Sequence, residues 1–594
     1  MNFKSNPKGL VIKMRKTKIV CTLGPSTDDE TILRNIMLAG MNVARFNFSH
    51  QDHASHKLRA DMVKKLRREL DLPIAMLLDT KGPEIRLGLF KNKSAELKKD
   101  QKFTLTVNET LGDENHVGIS FKGLPDDVTE GTHILIDDGL IDLTVDSKTE
   151  TDIICTVVNG GIISNNKGVN VPGIHVSLPF ISDKDTSDLL FGIENGYDFV
   201  AASFTRTPED IIEIRSILED NGGSNIKIIA KIENADGVAN IDDILKVSDG
   251  IMVARGDMGV EIPLEEIPRI QKELIKKGYN AGKVVITATQ MLESMIKNPR
   301  PTRAETTDVA NAIYDGTSAI MLSGETAAGL YPVESVKTMS RIAECTEADI
   351  DYKKRLQKRE MDDSSNVTNA ISHATCTTAH DIGASAVITV TKSGRTARFI
   401  SKFRPACTII GCTPDEQVYR QLNLSWGVVP LLAEEKTSTD ELFDHAVDRA
   451  VEAGLLKNGD LVVITAGVPL GVSGTTNLLK VHIVGDILVS GTGVVHSSIC
   501  GNLCVCKSVQ DALNNFSEGD ILVIHRTTDE LMPLLKKASG IIAEHAGVAS
   551  HAALAGLKLD IPVIVGAANA TDILRSGTTV TLDGGRGIVY SSYK

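Results

Sequence analysis

The sequence predicts an α/β protein built around a closed (β/α)8 TIM barrel, and three observations lead to that prediction. Eight short apolar runs rich in β-forming residues recur up to Leu322, and most of them end in a polar cluster. Several runs are followed by segments with apolar residues at helical spacing, such as residues 263–280 and 306–314. One connection, residues 82–178, is far longer than the others. Repeated strand–helix units favour parallel pairing, and eight of them favour closure into a barrel.

The predicted barrel strands each precede polar residues that could carry chemistry. They are residues 17–21, 42–46, 74–78, 199–202, 226–230, 250–254, 284–286 and 319–322. In such barrels the active site lies at the carboxyl ends of the strands, where these polar clusters fall.

The long connection predicts an inserted β domain. It contains alternating segments at residues 103–107 and 133–136, followed by the turn sequence Asp137-Asp138-Gly139. A domain inserted at the active-site end of a barrel is suited to act as a lid.

Two further domains are predicted after the barrel. Residues 347–366 are charged and polar, as expected of a helix and linker, and the apolar runs 385–390, 408–410 and 461–464 indicate an α/β domain. A smaller glycine-rich domain with strands at 521–524 and 561–565 completes the chain. The predicted bounds are 1–13 for a flexible extension, 14–82 and 179–346 for the barrel, 83–178 for the insertion, 347–477 for the α/β domain and 478–594 for the last domain.

Composition excludes several classes of protein. The chain has 594 residues, with 77 acidic and 64 basic side chains and a formal net charge of -13, which argues against a nucleic-acid binder. No apolar run approaches the ~20 residues of a membrane-spanning helix, and residues 1–13 lack the apolar core of a signal peptide. The nine cysteines show no zinc-binding spacing, so we expect reduced thiols in a cytoplasmic protein.

Lys231, Glu233 and Asp257 are the first candidate site, because they follow two adjacent predicted strands. Carboxylates at neighbouring strand ends can share one Mg²⁺, which also takes water and substrate oxygens as ligands. A lysine beside them suits a reaction in which negative charge moves, as in phosphoryl transfer. An ordinary ion pair at the barrel rim is the alternative.

A second cluster follows the second and third predicted strands. Arg45 could bind a phosphate through its planar set of N–H donors. Asn47, Ser49, Asp79 and Thr80 together offer oxygens for a hard cation. The same residue types are also common in turns, which is the alternative at these positions.

The motifs around both clusters resemble the pyruvate kinase family. They are Ala-Lys-Ile-Glu-Asn at 230–234, Ala-Arg-Gly-Asp-Met-Gly at 254–259, Thr-Gln-Met-Leu-Glu-Ser-Met at 289–295, Asp-Thr-Lys-Gly-Pro-Glu-Ile-Arg at 79–86, Ala-Arg-Phe-Asn-Phe-Ser-His at 44–50 and Lys-Gly-Val-Asn at 167–170. The resemblance extends from about Met14 to Asn477. It implies a β-barrel lid, an α/β regulatory domain and a homotetramer.

The resemblance also implies a reaction and a set of roles. The phosphoryl group of phosphoenolpyruvate would pass to ADP, giving pyruvate and ATP. Lys231 would stabilise that group in transfer, and Glu233 and Asp257 would hold Mg²⁺ or Mn²⁺. Gly256 and Asp257 would contact the substrate, and Thr289 would lie near the enolate and help its protonation.

The second cluster acquires roles from the same resemblance. Arg45 would bind the phosphoryl group, and K⁺ would be held by Asn47, Ser49, Asp79 and Thr80. The residues expected to face the nucleotide are Asn47, His50, Arg86 and Lys167. In the family, a glutamate at the position of Glu84 accompanies dependence on K⁺, whereas a lysine there can replace the ion. We therefore predict dependence on K⁺.

A further loop could bind a phosphorylated effector. It precedes a predicted helix at 397–402, and its candidate residues are Thr391, Ser393, Gly394, Arg395 and Thr396. A helix start binds phosphate readily, although a simple helix cap is the alternative. The later loop 467–477 has no Arg or Lys, so the sequence favours a monophosphate, AMP or ribose 5-phosphate, over fructose 1,6-bisphosphate.

The last domain resembles the swivelling β/β/α phosphohistidine domain of enzymes that use phosphoenolpyruvate. The resemblance is carried by Gly-Val-Ala-Ser-His-Ala-Ala at 547–553 and Ile-Pro-Val-Ile-Val-Gly at 561–566. His551 could carry a phosphoryl group or serve a structural or interface role. Two rival functions stay open on sequence alone: a magnesium-dependent enolpyruvate lyase or aldolase, and a non-catalytic phosphocarrier acting through His551.

Overall fold

The structure, a computed structural model, describes residues 15–174, 176–358, 366–468 and 476–591. The predicted extension at 1–13 lies outside the described residues, as does 469–475 of the loop 467–477. Among the described helices, none is long and apolar enough to span a membrane.

Eight parallel strands close into a barrel, which confirms the predicted fold class. Neighbours in the sequence are neighbours around the ring, and the first strand pairs with both the second and the eighth. The strands are Lys18–Thr22, Val43–Asn47, Ala75–Asp79, Phe199–Ala202, Lys227–Ile232, Gly250–Ala254, Val284–Ala288 and Ala319–Leu322. They are called the first to eighth barrel strands below.

Helices surround the barrel and bury its outer face. The α-helices are Glu30–Ala39, His53–Glu69, Asp183–Glu194, Pro208–Asp220, Ala235–Ala239, Ile241–Val247, Arg255–Glu261, Ile267–Asn280, Arg303–Asp315, Gly324–Ala327, Pro332–Asp349 and Tyr352–Gln357. Short 3-10 helices occupy Pro25–Thr27, Leu264–Glu266 and Glu293–Ile296. The predicted helix 263–280 is thus divided, and its α-helical part begins at Ile267 with a proline in its first turn, where no N–H is needed.

The inserted segment forms a β domain with its own core, built on Phe103, Leu105 and Leu143. A seven-stranded sheet contains, in spatial order, Ile85–Arg86, Gly168–Asn170, His133–Ile136, Ile141–Lys148, Asp152–Asn159, Lys102–Thr106 and His116–Gly118. A two-stranded sheet pairs Gly161–Ser164 with Ser94–Leu97, and one short helix spans Leu124–Asp127.

The α/β domain holds a five-stranded sheet between helices. Its strands, in spatial order, are Val428–Leu432, Thr408–Thr413, Ala386–Val390, Leu461–Gly467 and Thr476–Ile483. Its helices are Val367–Asp381, Arg395–Lys402, Glu416–Leu422 and Thr439–Glu452. The last strand pairs antiparallel with Leu461–Gly467 and continues to Ile483, past the predicted boundary at 477.

The last domain is built on an eight-stranded mixed sheet. Its strands, in spatial order, are Ile487–Ser490, Ile588–Ser591, Thr579–Asp583, Ser498–Cys506, Ile521–Ile524, Gly540–Ala543, Val563–Val565 and Thr492–Gly493. Its helices are Val509–Asn515, Met532–Leu535, His551–Leu559 and Ala570–Ile573, with a 3-10 helix at Asp529–Leu531.

The α/β domain closes the amino-terminal mouth of the barrel. Leu424 is fully buried and packs into the cluster that fills the barrel interior, beside residues such as Val20 and Leu77. The amide of Asn423 donates hydrogen bonds to the carbonyls of Asn42 and Pro73, at 3.0 and 2.8 Å. A side chain of one domain therefore completes the core of the other.

Candidate active site

The candidate site lies at the carboxyl ends of the barrel strands. Parallel strands in register bring these ends together, so Asn47 on the second strand stands opposite Asp79 on the third. The fifth strand runs to Ile232, two residues beyond its predicted end at 230, because Lys231 and Ile232 still pair with the sixth strand. Lys231 therefore projects from a rigid strand instead of a loop.

Lys231 is the centre of a buried polar network. Its residue is 8% exposed. Its Nζ lies 3.0 Å from Asp79 Oδ1 and 3.0 Å from Glu233 Oε1, and it donates a hydrogen bond of 2.7 Å to Ser203 Oγ. The Ser203 hydroxyl in turn lies 3.0 Å from Asp79 Oδ1 and 2.7 Å from the carbonyl of Thr80.

The charges in this network stabilise the ionised lysine. Burial by itself would lower the pKa of Lys231, but the carboxylates of Asp79 and Glu233 outweigh burial and raise it. Burial would likewise raise the pKa of Asp79, and the neighbouring Arg45 and Lys231 hold it below its usual value. A fixed positive charge thus faces the site without needing reorganisation, as electrostatic catalysis requires.

Glu233 has an oxygen available for a cation. Its Oε2 accepts a hydrogen bond of 2.6 Å from the Phe204 N–H. Its Oε1 is buried and accepts no hydrogen bond in the described part of the chain, although the Lys231 ammonium lies beside it. Burial raises the pKa of Glu233 above its usual value, and the charge of Asp257 adds to this increase. The Lys231 ammonium opposes it and favours the ionised carboxylate. Glu233 and Asp257 are close enough for their charges to interact, and two neighbouring carboxylates fit Mg²⁺ or Mn²⁺.

Thr289 follows the seventh strand in a strained turn. Thr289 and Gln290 have φ values of 66° and 53°, a region that costs a β-branched residue on the order of 1–3 kcal/mol. The Thr289 hydroxyl accepts a hydrogen bond of 2.9 Å from the Gly256 N–H. This bond joins Thr289 to the start of the helix Arg255–Glu261, which carries Asp257.

Arg255 holds this turn from the side of the sixth strand. Its guanidinium donates hydrogen bonds to the carbonyls of Thr289 and Ala288, at 2.5 and 3.2 Å. The same guanidinium pairs with Asp308 at 2.6 Å. Arg255 therefore fixes the backbone of Ala288 and Thr289, and with it the position of the Thr289 hydroxyl.

The second predicted cluster joins the first through Asp79. Arg45 Nε donates a hydrogen bond of 2.6 Å to Asp79 Oδ2, and its Nη1 donates one of 2.9 Å to Thr22 Oγ1. The Asn47 side chain accepts a hydrogen bond of 3.1 Å from the Ser49 N–H, and Thr80 Oγ1 accepts one of 3.1 Å from the Ser203 N–H. Neutral oxygens with one carboxylate suit K⁺ chemically, and both oxygens of Asp79 also contact cationic side chains.

A cleft of about 340 Å³ separates the inserted domain from the barrel. Its walls include Arg86 and Lys167 from the insertion and Asp257 from the barrel. Arg86 pairs with Glu84 at 2.8 Å, and Lys167 pairs with Asp137 at 2.7 Å. The structure therefore brings Arg86 and Lys167 to the same cleft as Asp257.

The other two predicted nucleotide residues, Asn47 and His50, are not part of that wall. Asn47 ends the second strand. His50 lies exposed on the loop that follows it. Its carbonyl contacts the ring of the buried His56 at 3.0 Å.

The candidate effector loop is ordered between a strand and a helix. It leads from Ala386–Val390 into Arg395–Lys402, where Gly394 takes the left-handed conformation with φ 74°. The hydroxyls of Thr396 and Thr476 lie 2.8 Å apart, and the Thr391 N–H donates to the carbonyl of Cys412 at 3.0 Å. A side chain at Gly394 would meet Leu422 and Val418, so the loop packs closely on the helix Glu416–Leu422. The partly buried Ser393 also belongs to this loop.

His551 lies at the start of the helix His551–Leu559 and lines a cavity of about 260 Å³ in the last domain. Both ring nitrogens have partners: Nδ1 is 2.8 Å from Thr527 Oγ1, and Nε2 is 3.2 Å from Asp529 Oδ1. Arg526 and His545 also line the cavity.

Sequence reasoning missed two residues that contact the predicted site residues: Ser203 bonds to Lys231, and Arg255 bonds to the carbonyl of Thr289. Ser203 directly follows the fourth strand, and this position is the signal that could have identified it. Arg255 belongs to a motif already noted, but its hydrogen bonds cross to another strand and leave no trace in local sequence.

Three family models match this chain. The pyruvate kinase barrel domain matches residues 14–336, and the pyruvate kinase alpha/beta domain matches residues 369–482. The mobile domain of PEP-utilising enzymes matches residues 516–587.

Curated relatives and a solved structure extend the similarity. A pyruvate kinase of Sporosarcina psychrophila is 50% identical over 582 residues, covering 98% of this chain and 99% of the relative. One of Geobacillus stearothermophilus is 51% identical over 581 residues, with the same coverage of 98% and 99%. The crystal structure of a Cryptosporidium parvum pyruvate kinase superposes with a TM-score of 0.75 at 41% identity, covering 79% of this chain and 96% of that one.

Proposed function

The chain belongs to the pyruvate kinase family of phosphotransferases, and from this premise we propose how its residues transfer the phosphoryl group of phosphoenolpyruvate to ADP. The observation that carries the proposal is the buried ammonium of Lys231, fixed by Asp79 and Ser203 beside two carboxylates at the strand ends. The P–O bond to the enol oxygen breaks, a P–O bond to the β-phosphate of ADP forms, and the enolate takes up one proton at its methylene carbon.

Lys231 and Arg45 supply the positive charge in this scheme. Charge spreads over the oxygens of the transferring phosphoryl group, and preorganised cations stabilise it. Glu233 and Asp257 would hold Mg²⁺ or Mn²⁺, which when bound supplies further positive charge to the substrate oxygens. Asp79 keeps both Lys231 and Arg45 in place through its two carboxylate oxygens.

Thr289 would serve the protonation of the enolate. Its hydroxyl already meets the Gly256 N–H, and Gly256 and Asp257 would contact the substrate from the same turn. A hydroxyl on a fixed turn can orient the water that delivers the proton.

K⁺ and the nucleotide would occupy the neighbouring positions. Asn47, Ser49, Asp79 and Thr80 would hold K⁺ with neutral oxygens and one carboxylate. Arg86 and Lys167 would face the phosphates of ADP across the cleft. Asn47, at the end of the second strand, and His50, in the loop after it, would also face the nucleotide. The insertion would act as the lid of this cleft.

We also propose activation by a sugar monophosphate or AMP at the loop 391–396. Thr391, Ser393, Gly394, Arg395 and Thr396 offer hydroxyls, backbone N–H groups and one cation at a helix start. The absence of Arg and Lys from the sequence of loop 467–477 supports a ligand with one phosphate.

For the last domain, a structural or interface role is favoured over a phosphocarrier at His551, because both ring nitrogens already have partners. The proposal also includes a cytoplasmic homotetramer, as expected of the family.

An assay of pyruvate formation from phosphoenolpyruvate tests the proposed reaction. A phosphotransferase forms pyruvate only when ADP is present. A lyase or aldolase would act on its substrate without ADP, and a phosphocarrier would stop after one phosphoryl group per chain. Pyruvate release at the same rate with and without ADP would refute the proposal.

A further inference from the structure

Glu325 is a buried carboxylate that the proposed reaction does not use. It is 0% exposed and lies in the short helix Gly324–Ala327, directly after the eighth barrel strand. In the described part of the chain no basic side chain pairs with it. Burial raises its pKa, backbone hydrogen bonds oppose that shift, and the charge of nearby Glu293 adds to it.

The two oxygens of Glu325 connect two loops at the active-site end of the barrel. Oε1 accepts a hydrogen bond of 3.0 Å from the Leu292 N–H, in the loop after the seventh strand. Oε2 accepts one of 2.8 Å from the Ser323 N–H, in the loop after the eighth strand. A buried carboxylate without a cation costs folding free energy, and an apolar side chain would fill the space at less cost. We therefore attribute the presence of a glutamate here to the two hydrogen bonds that its carboxylate oxygens accept.

The loop that Glu325 holds is the one that begins with Thr289. Thr289 and Gln290 are both left-handed, and Met291 and Leu292 are fully buried. Arg255 fixes the first residue of this strained segment through the Thr289 carbonyl. Glu325 fixes its end three residues later, at the Leu292 N–H. A strained turn persists only when its surroundings determine it from both sides.

We propose that Glu325 is a positioning residue that holds the segment 289–292 so that the Thr289 hydroxyl stays at the proton-accepting carbon of the enolate. This inference rests on the proposed reaction. It predicts a defect in the proton step with little effect on the binding of phosphoenolpyruvate, because Arg45 and Lys231 lie on the second and fifth strands and neither contacts the segment 289–292 in the described part of the chain.

The test replaces Glu325→Gln, which conserves volume but turns one acceptor into a donor facing a backbone N–H. We expect kcat to fall on the order of tenfold to a hundredfold, as for a small misplacement of a catalytic group, with KM for phosphoenolpyruvate within about threefold. The exchange of pyruvate methyl hydrogens with solvent, which reports the proton step alone, should fall by the same factor. Glu293→Gln is the matched control, since Glu293 is an exposed glutamate in the same region.

Glu325→Asp is the second variant, in case Glu325→Gln does not fold. It keeps the charge and withdraws both oxygens by one methylene, so the same selective loss should appear. A folded variant with wild-type kcat and wild-type hydrogen exchange would overturn the proposal, and so would an equal loss in Glu293→Gln. The wild-type enzyme is measured in the same assay. If it forms no ADP-dependent pyruvate, the proposed reaction is refuted; if it does and only the variants are unaffected, the role of Glu325 alone is refuted.

Discussion

Lys231 shows at the residue scale why one lysine can remain charged while buried. Its ammonium has Asp79, Glu233 and Ser203 within 3.0 Å, and these contacts replace the water it loses. Those same contacts fix its position before substrate arrives. A cation that is already in place stabilises the transition state more than one that must reorganise during the reaction.

Removing this cation should cost far more activity than stability. We expect Lys231→Met to lower kcat on the order of a hundredfold or more, by analogy with the loss of one preorganised donor. Lys227→Met is the matched control, because Lys227 lies at the other end of the same strand and approaches Asp249 at 3.8 Å. Steady-state kinetics of both variants provide the test, and near-normal turnover of Lys231→Met would remove Lys231 from the chemistry.

We also predict that the activity depends on K⁺. In buffer containing only bulky organic cations, we expect the wild-type enzyme to lose most of its activity and to recover it with added K⁺. Glu84→Lys should retain activity without K⁺, because a lysine ammonium can supply the missing positive charge. Full wild-type activity in K⁺-free buffer would contradict the assignment.

The sequence identified the residues at the strand ends but not all of their partners. Lys231 and Asp79 could be predicted because each stands where an apolar run ends, and the fold makes that edge the active site. Ser203 and Arg255 were not assigned roles, because their hydrogen bonds depend on how neighbouring strands and loops face each other. The left-handed φ values of Thr289 and Gln290 also left no local signal, since neither residue type favours that region.

At the scale of single elements, the loop 391–396 and its helix form one unit with the helix Glu416–Leu422. A side chain at Gly394 would meet Leu422 and Val418, and Leu424, two residues after that helix, lies in the barrel core. A ligand that changes the conformation of the loop 391–396 would therefore also shift the segment 416–424, which contacts the barrel.

The choice of effector can be measured directly. We expect AMP or ribose 5-phosphate to increase the apparent affinity for phosphoenolpyruvate, and Arg395→Ala to abolish that response. Lys392→Ala is the control, because Lys392 pairs with Glu435 at 2.6 Å. Activation by fructose 1,6-bisphosphate alone would overturn the assignment of a monophosphate ligand.

Strand positions were predictable at this scale, whereas exact ends were not. All eight barrel strands lie within two residues of their predicted bounds at the amino end, because buried strands of a parallel sheet are continuous apolar runs. The fifth strand was predicted too short because Lys231 ends the apolar run, yet backbone pairing with the sixth strand continues through it. The predicted boundary at 477 divides the strand Thr476–Ile483, because it was placed at the end of the glycine-, serine- and threonine-rich segment 467–477.

At the scale of the whole molecule, the barrel and the α/β domain share a core. Leu424 fills the barrel mouth, and Arg420 Nε contacts the buried Asp198 at 2.9 Å. Length and composition could not reveal this arrangement, because nothing in the local sequence of Leu424 distinguishes it from any other buried leucine.

This shared core should unfold as one unit. We expect Leu424→Ala to lower the free energy of unfolding by about 2–5 kcal/mol, the range for a buried leucine that leaves a cavity. Leu432→Ala is the control, since Leu432 is 37% exposed at the end of a strand of the same domain. Denaturant unfolding measures both, and equal losses in the two variants would show that Leu424 adds nothing to the barrel.

The destination of the phosphoryl group distinguishes transfer to ADP from transfer to water or to the protein. Phosphoenolpyruvate labelled with ³²P is incubated with the protein, ADP, Mg²⁺ and K⁺, and the label is measured in ATP, in inorganic phosphate and on the protein. We predict that the label appears in ATP in a one-to-one ratio with pyruvate, and that Lys231→Met slows its transfer without redirecting it. Label that accumulates on His551 or as free phosphate, with no ATP formed, would contradict phosphoryl transfer to ADP.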